Sequence, residues 1–163
     1  MAFAAPSLKG RALRLLSQRE HSRSELARKL AKYEEEPGTL AQALDELEAK
    51  DFISETRVVQ SVVHQRAPRM GAARVRQELQ RKGIAPEAIS EAVAGLKDSE
   101  LARAIEVWRR RFDAPATDQK ERARQARFLM ARGFSGAVVA KVLRGAFDPE
   151  SEADAGDRTG FDD

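Results

Sequence analysis

Leu79-Gln80-Arg81-Lys82-Gly83-Ile84 returns fifty residues later as Leu129-Met130-Ala131-Arg132-Gly133-Phe134. In both copies an apolar residue is followed three and four places on by a cation and a glycine. That is how a helix stops: glycine accepts the left-handed backbone that satisfies the last carbonyls, and the cation favours the negative end of the helix. Leu30 precedes Leu79 by 49 residues, although the first copy departs at Tyr33-Glu34, where the others have cation then glycine. The set Leu40, Leu44 and Leu47 reappears as Ile89, Val93 and Leu96, each 49 residues later, and Val142 follows Val93 by the same step. One recurring apolar face is common; several landmarks sharing one period predict tandem repeats.

Around these landmarks the apolar spacing is helical throughout, with no segment of period-2 alternation. Leu8, Ala12, Leu15 and Leu16 mark a first helix, which ends before Gln18-Arg19-Glu20-His21. Ser22 and Glu25 have the spacing of a capping box ahead of Leu26 and Leu30. Thr39 and Gln42 suggest a second box, opening the helix of Leu40, Leu44 and Leu47. After Ser54, Val58, Val59, Val62 and Val63 face inward up to Pro68. Beyond Gly71 come Val75 and Leu79, and Pro86 suits the first turn of the next helix. Leu101, Ile105, Trp108 and Phe112 form one apolar stripe, so Trp108 is expected in the core. Asp113–Asp118 reads as a loop, and two last helices are expected over 118–132 and 136–146. The fold class is therefore all-α: an elongated array of three tandem three-helix units, spanning 7–53, 54–97 and 98–147. The acidic stretch 148–163 is expected to be a disordered tail.

Composition limits the function. The 163 residues contain no cysteine, which excludes disulfides, thiol catalysis and cysteine-based metal sites. His21 and His64 are isolated, no glycine-rich phosphate loop is present, and no serine has an evident base. An enzyme is not expected, nor is any cofactor or metal. No run of residues could span a membrane, and the first residues lack a signal pattern, so a cytoplasmic protein is expected.

The net charge of +3 is unevenly spread. Residues 1–56 have 9 basic and 10 acidic side chains, whereas 57–132 have 17 basic and 9 acidic, and 133–163 have 3 and 7. The positive middle suits a polyanion or an acidic protein groove. Candidate partner-binding residues lie there. Arg66 and Arg69 precede the helix of Arg74, Arg76, Arg81 and Lys82, on which Arg74 and Arg81 share an outer face. Arg103 and Arg110 line up likewise on the next basic helix, with Arg109 and Arg111 beside Arg110. Lys120, Arg124 and Arg127 follow at i, i+4 and i+7. Guanidinium groups fit carboxylate and phosphate alike, so spacing leaves an acidic protein and nucleic acid both open.

Four of these stretches carry a family resemblance. Arg19-Glu20-His21-Ser22-Arg23-Ser24-Glu25-Leu26-Ala27-Arg28-Lys29-Leu30 resembles the first-unit signature of the RecX family, and Leu47 through Phe52-Ile53-Ser54-Glu55 its junction to the second unit. Gly71-Ala72-Ala73-Arg74-Val75-Arg76-Gln77-Glu78-Leu79-Gln80-Arg81-Lys82-Gly83-Ile84 is similar to the second-unit signature, and Arg127-Phe128-Leu129-Met130-Ala131-Arg132-Gly133-Phe134-Ser135 to the third. The likeness covers about 7–146; the acidic 34–36 insertion and the acidic tail depart from it. It implies a negative regulator of the RecA recombinase, acting in recombination, repair and the SOS response. Such a protein lodges in the groove of the RecA–DNA filament, inhibits ATPase and strand exchange, and binds DNA weakly. It is expected to act as a monomer. The alternative left open by the residues is a direct DNA-binding protein with helix-turn-helix-like units.

Overall fold

A computed structural model describes residues 3–145. The expected acidic tail 148–163, and the end of the expected third unit at 146–147, lie outside these residues. Among the described residues the chain is helical, without strands. The helices are α1 (Leu8–Gln18), α2 (Arg23–Leu30), a 3-10 turn (Ala31–Tyr33), α3 (Thr39–Ala49), α4 (Glu55–Arg66) and α5 (Ala72–Arg81). They continue with α6 (Pro86–Gly95), α7 (Glu100–Arg111), α8 (Gln119–Ala131) and α9 (Gly136–Leu143).

The repeat is visible in the backbone. Gly83 and Gly133 take φ of +70° and +86°. Behind each, the next residue donates back around the helix end: Ile84 N–H to the Leu79 carbonyl at 3.2 Å, Phe134 N–H to that of Leu129 at 3.3 Å. Leu30, Leu79 and Leu129 are all buried. The first copy, lacking the glycine, ends in the 3-10 turn instead.

Two compact units result. The first holds the chain up to Gln65 together with Gln77–Ala92; the second holds Arg66–Arg76 together with the chain from Val93. α5 therefore contributes residues to both. In the first unit Ala12, Leu26, Leu30, Leu40, Leu44, Leu47 and Ile53 form one apolar core. In the second, Ala104, Val107, Trp108, Phe112, Leu129, Phe134, Val139 and Val142 do so, with α9 against α7 and α8. Trp108 is in the core as expected, and its indole N–H donates to Gln125 Oε1 at 3.0 Å. Gln125, itself buried, donates onward to the Ala114 carbonyl at 3.2 Å. The α7 stripe is displaced from the expected one: Ala104 and Val107 are buried while Leu101 and Ile105 are only half-buried.

Caps were partly legible. The Ser22–Glu25 box forms in both directions, each bond at 3.1 Å. The Thr39–Gln42 box does not form. Gly38 occupies the cap position at φ +90°, Glu34 Oε2 accepts the Leu40 N–H at 2.8 Å, and the Thr39 hydroxyl donates to the Glu36 carbonyl at 2.7 Å. The acidic insertion is thus the cap of α3. A carboxylate satisfies an open N–H and favours the positive helix end at once, which a threonine hydroxyl cannot do.

The same joint recurs within each unit. In the first, the start of α2 meets the end of α5: Ser22 Oγ donates to the Lys82 carbonyl at 2.5 Å, and from the last turn of α2 the long Arg28 side chain donates to the Arg81 carbonyl at 2.9 Å. In the second, the start of α5 meets the end of α8: Gly71 N–H donates to the Arg132 carbonyl at 2.8 Å and Ala73 N–H to that of Gly133 at 3.3 Å. Open carbonyls at one helix end are satisfied by donors at another helix start, with the two dipole ends in attractive order.

Around the first joint, Glu25 accepts Arg19 at 2.7 Å and Lys82 at 3.1 Å. Its burial would raise the carboxyl, but Arg19, the Ser22 N–H and Lys82 outweigh that and hold it at about 2. His21 is buried beside it, near the Arg19 carbonyl at 3.0 Å and the Lys29 ammonium at 3.4 Å. Burial pushes its pKa down; the Arg19 carbonyl can only accept, which places a proton on Nδ1, and Nε2 faces the Lys29 ammonium donor.

Candidate partner-binding surface

The basic side chains of the middle segment divide into those committed to the fold and those offered to solvent. Arg103, expected on an outer face, is half-buried and closes the α4–α5 connection. Its guanidinium donates to the carbonyls of Ala67 (2.9 Å), Met70 (2.6 Å) and Leu96 (3.0 Å), and to Ser99 Oγ (3.0 Å). Burial presses its pKa down, with Glu100 acting against that. Lys82 is likewise turned inward to Glu25. Both were expected to meet a partner; the structure gives both internal bonds instead, because a planar fork and a long ammonium stem are what gather carbonyls and bury a carboxylate.

In the second unit, Arg69, Arg74, Arg76, Arg109, Arg110, Arg111, Lys120, Arg124 and Arg127 are exposed, and Arg66 is half-buried; Arg81 is exposed in the first unit. Arg109 is drawn to Glu106 at 3.3 Å and Arg124 to Glu121 at 3.1 Å. Exposed pairs of this kind hold weakly and exchange readily.

Three elements of the second unit bring four arginines together. Arg69 from the α4–α5 connection, Arg110 and Arg111 from α7, and Arg132 from the end of α8 line a cavity of about 240 Å³ with Val107 and Phe128. The Arg132 guanidinium lies 4.0 Å over the Phe128 ring centroid, and that of Arg111 lies 6.0 Å from it and 5.4 Å from Phe112. Phe112 and Phe128 meet edge to face at 5.1 Å. The aromatic pair thus lies within cation–π distance of two of the guanidinium groups. Among the described residues no carboxylate pairs with any of the four.

Arg69, Arg110 and Arg111 are among the basic residues expected from the sequence, whereas Arg132 reads there only as a helix-stop cation. The available signal was Phe128 at i−4 on the same helix, the spacing that stacks a cation on a ring. Lys120 and Arg127 do not line the cavity. Chemically, four fork-shaped donors around an apolar floor suit a planar or tetrahedral anion. Among the described residues no three His, Asp or Glu side chains are grouped to hold a metal ion.

Comparison with known proteins agrees with the repeat. Family models of the RecX first, second and third three-helix domains match residues 9–47, 54–93 and 98–143. The regulatory protein RecX of Leptothrix cholodnii is 56% identical over 138 residues, covering 85% of this chain and 88% of that protein. That of Ralstonia nicotianae is 51% identical over 140 residues, covering 86% and 88%. The crystal structure of RecX from Lactobacillus salivarius superimposes with a TM-score of 0.70 at 18% identity, over 85% of this chain and 93% of the other, a likeness of fold. With three ordered domains matched and such identity over most of its length, the chain belongs to the RecX family of regulatory proteins.

Proposed function

We propose that this protein is a non-enzymatic negative regulator of the RecA recombinase, binding the groove of the RecA–DNA filament as a monomer and slowing ATPase and strand exchange. The observation that carries the reading is the arginine cavity of the second unit. Arg69, Arg110, Arg111 and Arg132 converge on it without a carboxylate partner. Concentrated, unneutralised guanidinium charge costs the fold self-repulsion, and an anionic partner relieves it. In the same unit the exposed Arg74, Arg76, Lys120 and Arg127 add further positive charge, as do Arg66, Arg109 and Arg124. A regulator acting by occupancy needs donors and no reacting group, which is what the site offers. DNA within the filament adds phosphates to the partner's carboxylates, and the same donors accept both. The expected setting is the bacterial cytoplasm, in recombination, repair and the SOS response.

The test is RecA ATP hydrolysis on single-stranded DNA with this protein titrated in. Hydrolysis is expected to slow at substoichiometric protein, since a ligand lodged in a filament groove touches more than one protomer. Unchanged hydrolysis at equimolar protein and low salt would overturn the proposal.

A further inference from the structure

A second cationic groove lies in the first unit, in the part of the sequence whose charges nearly cancel. It measures about 520 Å³. Arg11 and Arg14 reach it from α1, Arg28 and Lys29 from α2, and Lys32 from the 3-10 turn. No carboxylate lines it, and among the described residues none of these five has an ion-pair partner. Four of the neighbouring acids are engaged elsewhere. Glu25 holds Arg19 and Lys82, Glu34 caps α3, Glu46 binds Lys9 at 2.7 Å, and Asp45 binds Arg23 at 2.7 Å. Counting charge along the chain gives nearly zero here; in space the cations are gathered on one side.

The floor of the groove is apolar, made by Leu15, Leu30 and Tyr33. Tyr33 is 38% exposed, and the Arg11 guanidinium covers its ring at 3.7 Å from the centroid, with the Lys32 ammonium at 5.1 Å. Single-stranded nucleic acid binds such grooves by stacking bases on open aromatic faces. Here the Arg11 guanidinium already lies over the ring and competes with a stacking base. An apolar floor under a cationic rim instead matches a peptide in which one apolar side chain is flanked by carboxylates. The side chain fills the floor and the carboxylates meet the rim, so burial and charge act together.

We infer that this groove docks an acidic peptide segment of a partner protein, a run of Asp and Glu around one aromatic or large apolar residue. The site is separate from the arginine cavity of the second unit and does not depend on how that cavity is used.

Tyr33 is the only tyrosine of the chain, which gives the test its probe. The full-length protein is labelled with fluorotyrosine, and its single fluorine NMR resonance is followed during titration. The ligands are a short synthetic peptide of Asp and Glu with a central Phe, the same peptide with Ser for Phe, and a thymidine oligonucleotide of equal charge. The Phe peptide is expected to shift the resonance saturably, and the Ser peptide to bind about fivefold more weakly through lost apolar burial. The oligonucleotide should leave the resonance in place. Charge reversal with Arg14→Glu and Lys32→Glu, both exposed, should weaken the Phe peptide about tenfold or more. The milder pair Arg14→Gln and Lys32→Gln should act in the same direction, and helicity by circular dichroism checks that each variant folds. Inhibition of RecA by these variants is read separately, so failure here and failure of the regulator reading are distinguishable. Absence of a peptide-induced shift at low salt, equal affinity for the two peptides, an oligonucleotide that binds as tightly as the Phe peptide, or peptide binding unchanged in the variants would each overturn the inference.

Discussion

Replacing Glu25 by alanine is expected to destabilise the first unit by about 3–5 kcal/mol, the usual cost of leaving buried partners of an ion pair uncompensated. The carboxylate is 8% exposed and holds three groups at once: Arg19, Lys82 and the Ser22 N–H that opens α2. Its removal strands the Lys82 ammonium, which is itself only 17% exposed, and loosens the joint where Ser22 meets the Lys82 carbonyl. Urea unfolding followed by circular dichroism reads the loss directly. A change below about 1 kcal/mol, typical of a surface pair, would show that the network is not buried in solution. The same group sets an acid limit. A carboxyl lowered from 4.5 to about 2 contributes roughly 3 kcal/mol to the folded state. Because the folded value is the depressed one, this stability is complete above the ordinary carboxyl value and is lost as pH falls from about 5 through about 2. Glu25→Gln should therefore flatten the acid side of the stability profile.

Gly71→Ala is expected to be at least as damaging, by a different route. A Cβ at Gly71 would overlap the backbone carbonyl of Gly133 and the nitrogen of Phe134, neither of which can turn aside. The start of α5 and the end of α8 must then part, and the Gly71 and Ala73 hydrogen bonds to α8 are lost together. Two buried backbone bonds and a displaced core predict a loss of about 3 kcal/mol or more. Gly95→Ala is the matched control. Nothing lies within 4 Å of its added methyl, so it should be neutral or stabilise α6 by up to about 1 kcal/mol. Thermal unfolding of the two variants side by side should give shifts of opposite sign or very different size. Equal shifts would contradict the close approach.

What could be read from the sequence follows from how local each signal is. Helix ends written in adjacent residues were legible: Lys82-Gly83 and Arg132-Gly133 stop α5 and α8, and Ser22 with Glu25 starts α2. The start of α3 was misread because two caps competed, and the carboxylate of Glu34, five residues before Thr39, displaced the adjacent threonine. The α7 stripe was misplaced because large residues were counted first, whereas a tightly packed helix buries the small Ala104 completely and leaves Leu101 and Ile105 at the margin. The site was less legible than the fold. Outward-facing arginines look alike in sequence, yet Arg103 gathers four oxygens inside the second unit while Arg110, two turns further along the same helix, faces the cavity. The groove of Arg11, Arg14 and Lys32 is not legible in sequence because Glu25, Glu34, Asp45 and Glu46, close in sequence, bind other groups in the structure.

The most direct measurement of the central proposal compares binding of the protein and of an Arg69→Ala, Arg110→Ala, Arg111→Ala variant to RecA on single-stranded DNA and to bare DNA, over a range of salt. These side chains are exposed and leave the core untouched, so the variant should fold as the parent does. If the arginine cavity engages the recombinase, the variant loses binding to the RecA filament about tenfold or more beyond its loss on bare DNA. The filament affinity should also retain a component that salt does not abolish. Equal losses on the two targets, with affinity falling by roughly one power of salt concentration per phosphate contact on both, would contradict the proposal and identify the protein as a competitor for DNA alone.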